Sequence, residues 1–188
     1  MYRSTPQWFV KVDKFRAEAM EAIHNVKWIP ASGESRIGNM VANRSDWCIS
    51  RQRAWGVPIP IFYCEDCNEV IISDETIENV ANIFEKESSD AWVNHSASEL
   101  LPQGYKCPKF GGTHFKKEKD IMDVWFDSGV MPYAQFHYPF ENKELFESQF
   151  PADFIAEGID QTRGWFYVLL VISTIISGES SFKNVVVN

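Results

Sequence analysis

The chain has 188 residues, 45% of them hydrophobic and 23% charged, which is typical of a folded domain with a buried core and excludes a disordered chain. Its formal net charge of −8 argues against an autonomous RNA-binding module, because such modules usually present a basic face. The most apolar run, from Trp165 to Ile176, is too short to cross a bilayer, and the amino-terminal residues lack a secretory pattern. We therefore expect a soluble protein with no membrane partner, in a compartment that keeps its four cysteines reduced.

The first third of the chain predicts short elements of both kinds. Residues 6–12 (PQWFVKV) suit a strand, and Asp13 can cap a helix that continues to about His24. A second helix is expected from Glu34 to Asn43, and the prolines of residues 58–63 (PIPIFY) favour an extended segment. The apolar stripe of the first helix comprises Phe15, Ala19, Ala22 and Ile23.

The composition changes at Cys64, and we interpret residues 64–119 as a small insertion between core segments 1–63 and 120–188. A strand is predicted at residues 70–72, followed by a helix that starts after Ser73 or Asp74. We expect the buried face of that helix to consist of Ile77, Val80, Ala81 and Phe84. The rest of the segment is polar and contains the turn residues Pro102, Gly104, Pro108, Gly111 and Gly112.

The last third predicts a parallel strand–helix–strand unit. A short apolar strand from Ala152 to Ala156 leads into a loop from Glu157 to Gln161. An apolar helix from Thr162 to Ser177 follows, Gly178 ends it, and residues 184–187 form a β-branched strand. The order predicts an α/β fold whose ligands bind at the carboxyl ends of the strands, which is where the loop lies.

The residues of this loop suit a ligand with both polar and charged groups. Gly158 permits close approach of a backbone, and Glu157 and Asp160 can accept hydrogen bonds from ribose hydroxyls or from an ammonium group. Gln161 can donate and accept at the same place. The alternative is that Asp160 only caps the helix that follows.

Three longer strings occur in a fixed order. They are Asp46 to Pro60 (DWCISRQRAWGVPIP), Asp123 to Gly129 (DVWFDSG) and Asp153 to Phe166 (DFIAEGIDQTRGWF). Together they resemble the isoleucyl-tRNA synthetase family, and the resemblance extends over essentially the whole chain. It implies the second βαβ half of a Rossmann-like class I synthetase core, interrupted by a small cysteine-bearing insertion.

The resemblance also implies roles for particular residues. Glu157 would bind the isoleucyl-adenylate, with Gly158, Asp160 and Gln161 around it, and Trp125 and Trp165 would line the isoleucine pocket. No residue has the setting of a general base or nucleophile, so these side chains are expected to bind and orient. ATP, Mg²⁺, isoleucine and tRNA(Ile) are implied for the parent enzyme, which is expected to be monomeric and cytoplasmic, with an organelle left open.

Other interpretations stand beside these roles. Both tryptophans could belong to the ordinary core, and Asp127 could serve the site or only stabilise a turn. Arg51, Arg53 and Trp55 could face tRNA, although we favour a structural role for them. The HIGH-type and KMSKS-type strings of the family do not occur in the chain, so we expect an internal fragment that is inactive alone.

The cysteines resemble a zinc knuckle of the same family. Cys64 and Cys67 form a C-x-x-C pair and Cys107 follows, but Phe110 stands where a fourth cysteine is expected. His114 or Cys48 could take its place, without the usual spacing. Binding of zinc is therefore left open, with weak or substoichiometric binding expected.

Two other classes of function remain open at this stage. One is a stand-alone, non-catalytic relative that binds an amino acid or adenylate. The other is a metal-ribbon interaction module built on residues 64–107.

Overall fold

A computed structural model describes residues 4–188 and places them in two compact units. One unit contains residues 4–49 and Asp123–Asn188, and the other contains Ser50–Met122. The helices are α1 (Arg16–Asn25), α2 (Ser32–Ala42), α3 (Asp74–Glu87), α4 (Ala91–Asn94), α5 (Ala97–Leu100), α6 (Val124–Gly129), α7 (Met131–Ala134), α8 (Lys143–Gln149) and α9 (Trp165–Ser177), with 3₁₀ helices at Val12–Lys14 and Ile159–Arg163. The strands are β1 (Phe9–Val10), β2 (Lys27–Ile29), β3 (Trp47–Cys48), β4 (Ser50–Arg51), β5 (Phe62–Cys64), β6 (Val70–Ile71), β7 (Phe115–Lys117), β8 (Ile121–Met122), β9 (Ile155–Glu157) and β10 (Asn184–Val187).

The first unit is organised around a parallel three-stranded sheet in the order β2-β10-β9. Val185 in the central strand pairs with Trp28 on one side and Ile155 on the other. The parallel pairing of β9 and β10 through α9 is the strand–helix–strand unit that the sequence predicts. Strand β2 was not predicted, because three residues with one buried side chain carry too little periodicity to indicate a strand.

Helix α9 supplies much of the core of this unit. Nine consecutive residues from Phe166 to Thr174 are buried, so the helix is surrounded on nearly every side. The hydroxyls of Ser173 and Thr174 are satisfied locally, since each donates to a backbone carbonyl one turn earlier at 2.7 Å. Gly178 ends the helix with φ of +76°, a left-handed conformation that favours glycine.

Helix α6 crosses α9 at Gly129. A Cβ atom at this position would lie 2.5 Å from the Cδ1 of Ile172 and 3.0 Å from the backbone oxygen of Val168. The missing side chain therefore allows the two backbones to approach closely.

The second unit has its own core and its own antiparallel sheet in the order β6-β5-β7. Phe62 in the central strand is fully buried and packs against Trp92 with ring centroids 5.1 Å apart. Ser73 caps α3 through a reciprocal capping box with Thr76. The unit extends beyond the predicted boundaries at 64 and 119, because β4 pairs with β8 outside them.

Helices α1 and α3 differ in detail from their sequence-based predictions. Asp13 does not cap α1: its carboxylate pairs with Arg16, and the helix begins at Arg16 without a side-chain cap. Ile77 was predicted to be buried but is 39% exposed, since the inner face of α3 is shifted by one residue to include Thr76. Within residues 4–188, no helix combines the length and apolar character needed to cross a membrane.

The α6–α9 crossing generates a stability prediction. Gly129→Ala should lower the free energy of unfolding by about 1–3 kcal/mol, because the added methyl group overpacks the crossing. Gly38→Ala is a matched control within α2, where a Cβ atom would make an ordinary 3.6 Å contact with Met20. Urea denaturation of both variants measures the difference, and equal stability of the two would contradict the close crossing.

Candidate functional site

The candidate site lies at the carboxyl ends of β9 and β10. Glu157 is the last residue of β9 and pairs with Val187 in β10. Its backbone carbonyl accepts a hydrogen bond from the Asn188 N–H at 3.1 Å, and the Ile159 N–H donates to the Asn188 carbonyl at 2.9 Å. The exposed Glu157 carboxylate has no hydrogen bond or ion pair with residues 4–188. The backbone of this segment is therefore held in place while its carboxylate is free for a ligand.

Gly158 and Asp160 follow Glu157 in the loop at the carboxyl ends of the strands. A Cβ atom on Gly158 would lie 2.6 Å from Asp160 Oδ1, so the glycine makes room for the carboxylate of its own loop. Asp160 does not cap the helix: it lies inside the 3₁₀ helix Ile159–Arg163, which has no side-chain cap bond. The capping alternative considered for this residue is thus not observed.

Gln161 connects the loop to α9 through both ends of its amide. Its Nε2 donates to Asp160 Oδ2 at 3.0 Å, and its Oε1 accepts from the backbone N–H of Trp165 at 2.8 Å. The 3₁₀ helix therefore precedes α9, which begins at Trp165 and not at the predicted Thr162. Gln161 satisfies an amino-terminal N–H of α9 and orients the Asp160 carboxylate at the same time.

Gly164 is a contributor that the sequence analysis did not single out. A Cβ atom there would lie 2.5 Å from Gln161 Oε1 and 3.3 Å from the ring of Trp125. Because Gly164 has no side chain, the Gln161 amide and the Trp125 indole can both approach the start of α9. Its position inside the third string, between Arg163 and Trp165, was the available signal.

The two tryptophans have different surroundings. Trp125 is 41% exposed beside Gly164, whereas Trp165 is half-buried and donates its indole N–H to the Ser128 carbonyl at 3.3 Å. Trp165 also borders an apolar cavity of about 60 Å³ that includes Phe136 and Leu169. That volume is far below the roughly 300 Å³ at which ligand pockets usually begin, so this cavity is a packing feature.

Asp123 and Asp127 have separate roles on α6. Buried Asp123 accepts from the Trp47 indole N–H at 3.0 Å and from the Trp125 backbone N–H at 3.4 Å, which caps the helix. Desolvation, with a further contribution from the Asp123 charge, raises the pKa of Asp127. One Asp127 oxygen is buried with no hydrogen-bond partner in the described part of the chain. Asp123, not Asp127, therefore stabilises the turn into α6.

The second unit contains a separate cluster of thiols. The sulfur atoms of Cys64, Cys67 and Cys107 lie within 4.8 Å of one another, and those of Cys67 and Cys107 are 3.6 Å apart. Asp66, inside the C-x-x-C pair itself, places its Oδ2 4.0 Å from the Cys64 sulfur. His114 contacts that same carboxylate oxygen through Nδ1 at 3.5 Å.

These contacts distinguish between the residues that could supply a fourth metal ligand. Phe110 is 63% exposed and has no atom that could ligate a metal. Cys48 belongs to the other unit, where its thiol contacts Gln7 at 3.6 Å. Asp66 was not predicted as a neighbour of the thiols, because a zinc knuckle is expected to use cysteine and histidine, although its place between Cys64 and Cys67 is visible in the sequence.

The thiols influence one another's protonation. A backbone hydrogen bond at Glu69 lowers the pKa of Cys67, but desolvation and the neighbouring thiols outweigh it and raise the pKa to about 11. Burial raises the pKa of Cys107, but backbone hydrogen bonds at Phe110 and Lys109 outweigh it and hold the pKa below its ordinary value. In the metal-free protein Cys107 is therefore the more readily ionised of the two.

A family model described as tRNA synthetases class I (I, L, M and V) matches residues 1–188. The chain belongs to this family. Curated relatives include the isoleucine–tRNA ligases of Desulfitobacterium hafniense strain DCB-2, 55% identical over 185 residues and 98% of this chain, and of Caldicellulosiruptor saccharolyticus, 51% identical over 183 residues and 97%. The chain spans 19% of the length of each of these two relatives.

Among solved structures, the LeuRS of Agrobacterium radiobacter K84, in a ternary complex with tRNA and LeuAMS, is similar at a TM-score of 0.46 and 21% identity. The match covers 76% of this chain and 19% of that one.

This class I synthetase segment brings together four of its six predicted site residues in one loop, namely Glu157, Gly158, Asp160 and Gln161. Trp165 begins the helix that follows, and Trp125 reaches the same place from α6. In the other unit, Arg51 and Arg53 each donate to a neighbouring backbone carbonyl, at 2.8 and 3.0 Å, and Trp55 is 90% exposed.

Proposed function

We propose that the chain is part of an isoleucine–tRNA ligase and binds isoleucine and the isoleucyl-adenylate during ATP-dependent charging of tRNA(Ile). The observation that carries the proposal is the free Glu157 carboxylate at the end of a parallel strand, beside a loop whose Asp160 and Gln161 are already oriented. Sequence identity of 50–55% to isoleucine–tRNA ligases, extending along 97–98% of the chain, supports the choice of amino acid.

The polar groups of the loop match the polar groups of an aminoacyl-adenylate. Carboxylates such as Glu157 and Asp160 accept hydrogen bonds from ribose hydroxyls and from an α-ammonium group. Trp125 and Trp165 offer rigid apolar surfaces for the branched side chain. The residues of this segment thus position the reactants. The isoleucine carboxylate attacks the α-phosphate of ATP in line and displaces pyrophosphate, a step that needs no protein nucleophile.

ATP and Mg²⁺ enter as requirements of that reaction. The HIGH-type and KMSKS-type strings that the family uses to bind ATP do not occur in these 188 residues. We expect the chain alone to provide the amino-acid and adenylate side of the site and not the complete nucleotide site.

The isolated chain should therefore show no isoleucine-dependent exchange of pyrophosphate into ATP. The assay compares the purified chain with a no-enzyme blank and with Glu157→Ala. Exchange above the blank that Glu157→Ala abolishes would contradict the requirement for the two missing strings.

Substitutions in a complete ligase that contains this segment test the two kinds of contact. Trp165→Ala removes an apolar surface, so it should weaken isoleucine more than valine, by up to the roughly 1–3 kcal/mol that one methylene is worth in such a pocket. Glu157→Gln alters a contact with groups common to both adenylates and should lower kcat/KM for both amino acids about equally. An unchanged isoleucine-to-valine ratio of kcat/KM in Trp165→Ala would place that indole in the core instead.

We also propose that Cys64, Cys67 and Cys107 supply three thiolate ligands of one structural zinc ion. The Asp66 carboxylate, 4.0 Å from the Cys64 sulfur but outside the group of three sulfurs, is the candidate for the fourth ligand, in place of the weak binding expected from the sequence. In a tetrahedral site with Zn–S bonds of about 2.3 Å, neighbouring sulfurs lie about 3.8 Å apart, close to the 3.6 Å between Cys67 and Cys107. A carboxylate oxygen is an accepted fourth ligand. The contact from His114 to the same oxygen would orient the carboxylate from outside the coordination shell.

Cobalt(II) in place of zinc reports the ligand set directly. The chain should bind one Co²⁺ and show sulfur-to-cobalt charge-transfer bands. Asp66→Ala should lower metal affinity at least about tenfold, because loss of a ligand should cost no less than loss of an outer-shell partner, which costs roughly 10–100-fold. Chelator competition measures the affinity. His114→Ala is the matched control with a smaller loss, and Phe110→Cys should raise affinity by supplying a fourth thiolate. A larger loss in His114→Ala than in Asp66→Ala would show that the imidazole is the ligand.

A further inference from the structure

Two thiols of the second unit lie close enough to react with each other. The sulfur atoms of Cys67 and Cys107 are 3.6 Å apart, although the two residues are 40 positions apart in the chain. A disulfide bond has a sulfur–sulfur distance of about 2.05 Å, so the two atoms need to approach by only about 1.5 Å to form one. The fold has therefore already brought this pair together across a long interval of sequence.

Both thiols belong to tight turns and lie outside the strands and helices. The turn that contains Cys67 is closed by the Asn68 N–H, which donates to the Cys64 carbonyl at 2.8 Å. The turn that begins at Cys107 is closed by the Gly111 N–H, which donates to the Cys107 carbonyl at 2.7 Å. A small tilt of either turn can thus bring the two sulfurs together without breaking a hydrogen bond of the sheet.

The third thiol is held differently. Cys64 is the last residue of β5, pairs with Phe115 in β7 and is fully buried. Cys107 is also buried, whereas Cys67 is partly exposed. A small oxidant therefore reaches Cys67 first, and the sulfur in contact with it is that of Cys107. This geometry favours a bond between Cys67 and Cys107 over one within the C-x-x-C pair.

We propose that Cys67 and Cys107 are a peroxide-sensitive pair that forms a reversible disulfide, which holds the two turns together in place of a metal ion. The inference rests on the proposed zinc site only for the metal that the reduced thiols bind. Zinc takes cysteine as the thiolate, so the disulfide removes two of its ligands and releases it. Thiol reductants of the compartment then break the disulfide and restore the cluster.

The oxidation consumes one hydrogen peroxide, and water is its only other product. The Cys67 sulfur attacks one peroxide oxygen and the O–O bond breaks, which releases water and leaves a sulfenic acid on Cys67. The Cys107 sulfur then attacks the Cys67 sulfur, the S–O bond breaks, and the hydroxyl leaves with the Cys107 proton as a second water. The two thiols lose two electrons and two protons, and the peroxide is reduced to two waters.

The test uses the full 188-residue chain, with zinc and without it, treated with hydrogen peroxide and then alkylated with N-ethylmaleimide. Two of the four thiols should escape alkylation, and the zinc-loaded chain should release about one zinc ion per disulfide to a chromogenic chelator. Cleavage after Glu65 separates Cys64 from Cys67, and cleavage after Lys106 places Cys107 in a peptide of its own. Mass spectrometry of these peptides therefore identifies the pair.

Single substitutions separate the disulfide from the metal site. Cys67→Ser and Cys107→Ser should each abolish the disulfide, whereas Cys64→Ser should weaken metal binding and still form it. Cys48→Ser is the matched control, because its thiol is free and belongs to the other unit. In the absence of metal, the oxidised chain should unfold at a higher temperature than the reduced chain, because the crosslink constrains the unfolded state.

A disulfide between Cys64 and Cys67, or oxidation that yields only sulfinic acid on Cys67, would overturn the proposal. An oxidised metal-free chain that is no more stable than the reduced one would overturn it as well. Formation of the expected disulfide in a chain whose reduced form binds no zinc supports the pair and contradicts only the zinc site. Tight zinc binding by a chain that forms no such disulfide with peroxide supports the zinc site and contradicts the pair.

Discussion

Helix α9 is buried along nine consecutive residues, so its position relative to the sheet tolerates little displacement. Its first residue, Trp165, donates its backbone N–H to Gln161, and Gln161 in turn holds Asp160. The candidate site is therefore positioned by the core through a short series of hydrogen bonds. Tight packing at Gly129 extends the same constraint to α6 and hence to Trp125.

Much of this arrangement could be predicted from sequence where several signals agree. Strand β10 is β-branched, Gly178 ends α9 and Ser73 begins α3, and each prediction rested on a local chemical preference that the tertiary structure leaves intact. The loop from Glu157 to Gln161 was predicted at the strand ends because parallel topology leaves few alternatives. Strings of this length also carried the family resemblance.

The misses have equally specific causes. Strand β2 is too short to show a period, and its existence depends on pairing with β10, far along the chain. Thr76 is buried on the inner face of α3 in place of Ile77, because its hydrogen bonds to Ser73 in the capping box hold it there. Asp66 lies beside the Cys64 thiol, and Gly164 beside Gln161 and Trp125, only in the folded chain, which spacing alone does not reveal.

The central place of β10 has a consequence for the order in which the protein forms during synthesis. Its two neighbours, β2 and β9, both precede it in the chain, and β2 does so by about 150 residues. At roughly 5–20 residues per second, the ribosome needs on the order of 8–30 s to bridge that interval. The unit formed by Ser50–Met122 is continuous and can complete its sheet meanwhile. Strand β2 gains its β10 partner only when residues 184–187 emerge, so the thiol cluster can assemble before the loop around Glu157 does.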